Sequence, residues 1–409
     1  MPDEHRPVLS VEAALDHVLA AVRVLEPERV PLLQAVGRVL AEPVAADRDI
    51  PPLTNSAMDG YAVRGTDLAG APPPVRLRVI GEIAAGYVSE AGVESGQAMR
   101  IMTGAPIPKG ADTVVRFEDT QLKGDTVEIL RAPRAGANVR RAGEDVCEGQ
   151  VVVDAGAVLR PQEIGMLAAV GCVEASVVRR PRVAILATGD EVVAPEQTPG
   201  PGQIRDANSY AIAAQVHAYG GVPLLMGVAR DREDLVREGM RKALEQAADL
   251  IITSGGVSVG DFDLVKQVLA AEGEMHFWSL NMKPGRPLAF GMIGDVPLLG
   301  LPGNPVAAMI STELFGRPVL LKMQGVAEWA RPKVQARLTQ PVERKDGRRH
   351  YLRVSLRQTD EGNEASLTGD QGSGILRSLV EADGLAVIPE DVDHLPAGAQ
   401  VDVLLLPRT

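Results

Sequence analysis

Residues 254–263, Ser-Gly-Gly-Val-Ser-Val-Gly-Asp-Phe-Asp, combine two kinds of chemistry in one short run. They follow Leu250-Ile251-Ile252, an apolar stretch that reads as a buried strand. Ser254, Gly255 and Gly256 open the turn, and glycines there let backbone N–H groups approach phosphate oxygens closely. Asp261 and Asp263 follow as hard oxygen ligands suited to magnesium. A tight turn whose aspartates cap the next helix accounts for the same letters. The run lacks the Gly-Lys-Ser/Thr ending of a P-loop and is not a dinucleotide-binding fingerprint.

A second acidic glycine turn, Ala187-Thr188-Gly189-Asp190-Glu191, follows another apolar run. Thr188 and Gly189 suit a phosphate or purine edge, with Asp190 and Glu191 behind them, although a helix cap is the plainer alternative. Two such loops after two strands of one sheet are harder to assign to turns alone. In residues 281–288, Pro284 and Pro287 stiffen the chain and Gly285 permits a bend. Lys283 and Arg286 would then be preorganised, which favours anion binding; a solvated turn is the alternative. Leu301-Pro302-Gly303-Asn304-Pro305 is a strand-to-helix turn whose helix N-terminus can receive an anion. The irregular loops around Asp59 and Thr103 have no task that physical reasoning assigns. The six histidines do not cluster, so a histidine-ligated metal or a Ser-His-Asp triad has no support.

The elements that must position these loops alternate as strand and helix from Pro181 onward. Strand-like Val183–Ala187, Val222–Val228, Leu250–Ile252 and Leu298-Leu299 are interleaved with helical spacing over 207–219 and 232–247. The pattern predicts an open, mostly parallel sheet, with ligands at the carboxyl ends of its strands. Ahead of it, residues 10–25 read as an amphipathic helix capped by Ser10. Short alternating runs such as 75–80 and 127–130 make the stretch after Asp47 β-rich. The predicted organisation is therefore a discontinuous mixed first domain (1–46 and 146–176) and an inserted β-rich domain (47–145). An α/β domain (177–328) and a small all-β domain (329–409) follow, joined by a linker at Arg331-Pro332.

Bulk properties agree with a multidomain α/β-plus-β protein. At 409 residues the chain is too long for one ordinary core. Hydrophobic residues make up 45% but aromatics only 3%, so the cores must be aliphatic. The net charge of −12 argues against a nucleic-acid binder but leaves room for a local positive pocket. Cys147 and Cys172 stand in unrelated contexts without a CxxC pair, and both read as small buried hydrophobes. The N-terminus has no apolar signal core, and no run of eighteen apolar residues occurs. A soluble, cytoplasmic protein with no membrane contact is expected.

Taken together, these segments resemble the molybdopterin molybdenumtransferases, the family that includes the C-terminal part of gephyrin. The resemblance runs over about residues 8 to 406. Its segments, in order, begin with NSAMDGYA (55–62), RIMTGAP (100–106), NVRRAGED (138–145) and LATGDE (186–191). The Asp206/Asn208 pair, Arg230-Asp231, SGGVSVGDFD and KPGRP (283–287) come next, then LPGNPV (301–306), Arg353 and QGS (371–373). Each is modest alone; the shared order and spacing are specific.

The resemblance implies four domains, the third similar to molybdopterin-adenylating proteins, and a homodimer. Its active site would lie between the third and fourth domains of one subunit and the second domain of the other. The substrates would be adenylyl-molybdopterin and molybdate; the adenylyl phosphoanhydride is hydrolysed with a divalent metal, magnesium, and molybdenum cofactor and AMP leave. By resemblance, Glu191, Asp231 and Asp263 are metal and phosphate-side carboxylates. Lys283, Arg353 and Ser373 are molybdate-side anion binders, and Asp59, Thr103 and Asp145 are the second subunit's contribution. Substrate contacts are expected from Thr188, Gly189, Asp206, Asn208, Ser254, Gly255 and Gly256. Pro284, Gly285, Arg286, Pro302, Gly303 and Asn304 complete that set. A transient contact with the adenylyltransferase of the preceding step is a further expectation. Two departures stand out: Ser279, where relatives often carry a basic residue, and Ala307, where they often carry serine. Both remove a potential anion contact. The alternatives are a molybdopterin adenylyltransferase, which would resemble 181–325 alone, and a scaffold of the gephyrin type. A generic magnesium phosphatase is disfavoured, because no strong local nucleophile or base pair is present.

Overall fold

In a computed structural model of the protein, which describes residues 8–256 and 275–406, seven strands form one central sheet. Their order is Val8–Leu9, Met275–Leu280, Pro287–Ile293, Val296–Leu301, Leu250–Ser254, Arg182–Thr188, Val222–Ala229. Neighbours run parallel except around Pro287–Ile293, which is antiparallel to both of its neighbours. The open, mostly parallel sheet predicted from the sequence is present. Leu250–Ser254 is buried at every position, because helices cover both faces. Alternation then divides its neighbour between two cores. Val183 and Ile185 pack with Ile212 and Val216 of the helix Asn208–Ala218. Ala184 and Leu186 pack with Val236 and Met240 of the helix Glu233–Glu245.

The N-terminal helix, Val11–Ala20, is capped by Ser10, whose hydroxyl accepts from Ala13 N at 3.1 Å. Its buried stripe of Val11, Ala14, Val18 and Leu19 joins the core that holds Trp278, Leu320 and Met323. Residues 8–25 thus pack against the central sheet, in a core that Val39 also joins, because that stripe finds its apolar partner there. The remainder of that segment pairs with chain beyond the insertion. Pro27–Pro31 lies antiparallel to Glu174–Val178, and Val44–Ala45 to Val151–Val153. Between them comes a six-stranded sheet built from Gly60–Val63, Val75–Ile83, Gln97–Ile101, Thr113–Arg116, Thr120–Lys123 and Thr126–Ile129.

Toward the C-terminus, Lys333–Leu338, Arg349–Thr359, Gly362–Leu367, Gly384–Ile388 and Gln400–Leu405 close into a small barrel. Closure follows because Arg349–Thr359 pairs with both Gly362–Leu367 and Gly384–Ile388. The barrel is stitched to the central unit through several contacts. Met282–Lys283 pairs in parallel with the start of Arg349–Thr359, and Arg349 forms ion pairs with Glu12 and Glu390. Arg331, read as linker, is anchored: its Nη2 donates to the buried Glu313 at 3.0 Å. The cysteine expectation fails for Cys147, which is exposed with its thiol 3.4 Å from the Gly143 carbonyl; Cys172 is half-buried. No helix among the described residues is long and apolar enough to cross a membrane.

Candidate active site

Three parallel strands, ending at Thr188, Ser254 and Leu301, deliver their loops to one cavity of about 690 Å³. The first loop lines it with Thr188, Gly189 and Glu191, the second with Ser254, Gly255 and Gly256. The third contributes Pro302, Gly303 and Asn304. Gly255 has φ +93°, and a Cβ there would lie 2.8 Å from the Thr188 carbonyl oxygen and Oγ1. Any side chain would therefore force the first two loops apart. Asn208, at the start of its helix, ties the second loop to the third. Its Nδ2 donates to Ser254 Oγ at 2.6 Å and to the Gly303 carbonyl at 2.8 Å. Asp206 also lines the cavity, but its carboxylate accepts from Ser209 N at 2.9 Å and is buried.

The acidic side of the cavity is built from Glu191 and Asp231, with Asp190 adjacent. Asp190 Oδ1 accepts from Asp231 N at 3.2 Å. Burial pushes the Asp231 carboxyl above its ordinary range, and the charges of Asp190 and Glu191 push it the same way. Such mutual repulsion is what a hard divalent cation would relieve, and all the donors are oxygens. Among the described residues, no group of three His, Cys, Asp or Glu is arranged to hold a metal. The expected third ligand Asp263, with Asp261, lies outside the described residues.

The cationic side comes from Lys283, Pro284, Gly285 and Arg286, all lining the cavity. Gly285 has φ +98°, and a Cβ there would sit 2.8 Å from Ser311 Oγ, so the tight bend requires glycine. Lys283 Nζ lies 3.5 Å from Asp346 Oδ2, and the lysine side chain remains 51% exposed. Burial would raise the Asp346 carboxyl, but the His350 hydrogen bond and the neighbouring positive charges hold it at about 2. From the barrel, Gln371, Gly372 and Ser373 complete the wall. Asn304 Nδ2 donates to Ser373 Oγ at 3.0 Å, and Val306 N donates to the Ser373 carbonyl at 3.1 Å. The helix start after Leu301–Pro305 therefore meets a chain carbonyl where an anion had been expected.

Arg353 is a second correction. It does not line the cavity and is 0% exposed. Its Nε donates to Ser378 Oγ at 3.0 Å and its Nη2 to the Gly372 carbonyl at 3.0 Å. Its backbone N–H donates to Gln371 Oε1 at 2.8 Å. Arg353 braces the loop that carries Ser373 instead of reaching an anion. The signal was present in the sequence: Arg353 sits between Leu352 and Val354 in a strand buried on both faces.

Asp59, Thr103 and Asp145 are exposed on the inserted domain and do not line the cavity of their own chain. Asp59 and Thr103 form a unit. The threonine donates its N–H at 2.7 Å and its hydroxyl at 2.8 Å to Asp59 Oδ1. These two bonds hold the Asp59 carboxyl below its usual range. Asp145 donates its backbone N–H to the Ile50 carbonyl at 3.0 Å.

Known proteins match this arrangement along the whole chain. Residues 9–171 match the MoeA N-terminal region (domain I and II), and 184–322 a probable molybdopterin binding domain. Residues 335–406 match the MoeA C-terminal region (domain IV). The molybdopterin molybdenumtransferase of Nostoc sp. is 42% identical over 390 residues, covering 93% of this chain and 89% of that one. The chain belongs to the molybdopterin molybdenumtransferase family. The Haemophilus influenzae molybdopterin molybdenumtransferase is 36% identical, covering 91% of this chain and 92% of its own. The crystal structure of the molybdopterin biosynthesis moeA protein from Pyrococcus horikoshii OT3 superposes with a TM-score of 0.83 at 33% identity. That comparison covers 98% of this chain and 100% of the other. The matches at 9–171 and 335–406 lie outside the region that a molybdopterin adenylyltransferase would resemble, so that alternative is not favoured.

The two positions singled out by the resemblance, Ser279 and Ala307, are separated by the structure. Ser279 lies in the central sheet opposite Val8 and Pro287 and is not part of the cavity wall. Ala307 is part of that wall and is 3% exposed. Ala307→Ser is expected to lower the half-saturating molybdate concentration by up to about fivefold, as one added hydrogen bond allows. Molybdate-dependent turnover measures this directly. An unchanged value would mean that the hydroxyl bonds back along its own helix or replaces a water. Sequence reasoning passed over Arg205 and Arg348, which also line the cavity.

Proposed function

We propose that the chain inserts molybdenum from molybdate into adenylyl-molybdopterin and hydrolyses the adenylyl phosphoanhydride, releasing molybdenum cofactor and AMP. The observation that carries this reading is a single cavity with an acidic side at Glu191 and Asp231 and a cationic side at Lys283 and Arg286. A substrate that must meet a metal at its phosphates and an oxyanion at its other end needs both. Between the two sides, Thr188, Gly255 and Gly256 offer close approach to phosphate oxygens. Lys283 and Ser373 hold molybdate, whose charge demands local donors in a chain of net charge −12. By resemblance, Glu191, Asp231 and Asp263 would hold magnesium, which would supply positive charge to the anhydride oxygens.

The exposed Asp59–Thr103 unit and Asp145 support a homodimer in which they complete the partner's cavity. Two impaired variants, Asp59→Asn and Asp231→Asn, are then expected to recover partial activity when co-expressed, because mixed dimers retain one undamaged site. Verified mixed dimers without recovery would contradict a shared site. The enzyme would work in the cytoplasm, in transient contact with the adenylyltransferase that makes its substrate. Incubation with adenylyl-molybdopterin, molybdate and magnesium tests the reaction: AMP and active cofactor are expected. Pyrophosphate from ATP and molybdopterin would instead indicate adenylyl transfer.

A further inference from the structure

The barrel strand Arg349–Thr359 carries the arginine that resemblance assigns to the anion, yet Arg353 is fully buried, with its Nε and Nη2 bonded inside the barrel. Another arginine of the same segment reaches the cavity. Arg348, just before the strand, is part of the wall, and its side chain is 30% exposed. Its Nη2 lies 3.0 Å from Asp346 Oδ2, the oxygen that also lies 3.5 Å from Lys283 Nζ. The other oxygen of Asp346 is 2.9 Å from His350 Nε2. Strand pairing places His350 beside Lys283, so the cluster bridges barrel and central unit. One carboxylate therefore gathers two cations at the edge of the cavity.

We propose that Arg348 is the second cation of the molybdate subsite, and that Asp346 positions it beside Lys283. Lysine has three N–H donors and arginine five, so both keep donors for an anion while tethered to Asp346. The planar guanidinium can engage two oxygens of a tetrahedral oxyanion at once. Arg348 is less exposed than Lys283 and bonded to a neighbour, so it loses less freedom on binding. Of the other basic wall residues, Arg286 is exposed and has no ion pair with Asp346 among the described residues, and Arg205 has its Nε turned to the Pro195 carbonyl at 2.9 Å.

This inference rests on the proposed molybdate reaction, and its test separates the two. Molybdate binding to the full-length protein is measured by calorimetry for wild type, Lys283→Ala, Arg348→Ala, Arg348→Lys, Asp346→Asn and Asp346→Glu. Turnover is followed in parallel. Arg348→Ala is expected to weaken molybdate by roughly tenfold or more, as loss of a charge-assisted hydrogen bond does. Its melting temperature should stay near wild type, and Arg348→Lys should recover part of the affinity. Counting charge alone, Asp346→Asn would tighten an anion; a positioning role predicts weakening, with recovery in Asp346→Glu. Unchanged binding in Arg348→Ala while Lys283→Ala weakens it would overturn this inference alone. Tighter binding in Asp346→Asn would overturn the positioning half. Unchanged binding in both Lys283→Ala and Arg348→Ala would overturn the anion site of the proposed function as well.

Discussion

Asp231→Asn is expected to lower AMP release from adenylyl-molybdopterin by about 10²-fold, comparable with losing one preorganised electrostatic group, while the protein melts no earlier than wild type. The two halves have one cause. Burial first, and then the charges of Asp190 and Glu191, raise the Asp231 carboxyl above its ordinary value. A carboxyl raised in the folded state favours folding below its unfolded pKa, and that contribution is lost as pH rises through the folded value. Asp231 is exposed, so solvent screens most of this opposition at neutral pH, and asparagine is expected to leave the melting temperature at or slightly above wild type. The ionised form is the one that helps to hold a cation, so activity at limiting magnesium should fall as acidification protonates this carboxyl. AMP release at the wild-type rate, or a lower melting temperature, would assign Asp231 to structure.

Lys283→Ala is expected to raise the half-saturating molybdate concentration by roughly one to two orders of magnitude, the loss of one charge-assisted contact. The lysine is half-exposed, and its pairing with Asp346 at 3.5 Å is long, so little stability depends on it. Thermal unfolding should hardly change, and a fully molybdate-saturated reaction should approach the wild-type rate. An unchanged half-saturation, measured by turnover across molybdate concentrations, would remove Lys283 from the anion site.

The central sheet was legible because its strands carry apolar residues on both faces. Leu250–Ser254 and Arg182–Thr188 admit no other buried role, and helical spacing separates them. Met275–Leu280 and Pro287–Ile293 were not anticipated, because a proline-rich, charged loop interrupts them and draws attention to its own chemistry. The N-terminal helix was legible from Ser10 and its apolar stripe, but not its destination, since a stripe says that it will be buried and not against what. In the site, the glycine loops were readable from local sequence, because strand, turn and acid are adjacent there. Asp59 and Thr103 were not, since their pairing spans 44 residues and is visible only in three dimensions or through resemblance. Arg353 and Arg348 are placed by the fold in a way that local sequence does not show. Residue type marks both as anion binders, while burial and hydrogen bonding turn one inward and leave the other at the cavity. Arg348 stands in a charged run, Arg-Lys-Asp-Gly-Arg-Arg, that reads as an ordinary solvated turn.

The most direct measurement of the central claim is the coupling between the two chemical events in one purified reaction. Adenylyl-molybdopterin, magnesium and limiting molybdate are incubated with the protein, and AMP and cofactor-bound molybdenum are counted together. A single cavity serving both ends of the substrate predicts one AMP released for each molybdenum incorporated, with both falling together in Lys283→Ala and in Asp231→Asn at limiting molybdate. AMP formed at full rate without molybdate, or molybdenum incorporated without AMP, would contradict it.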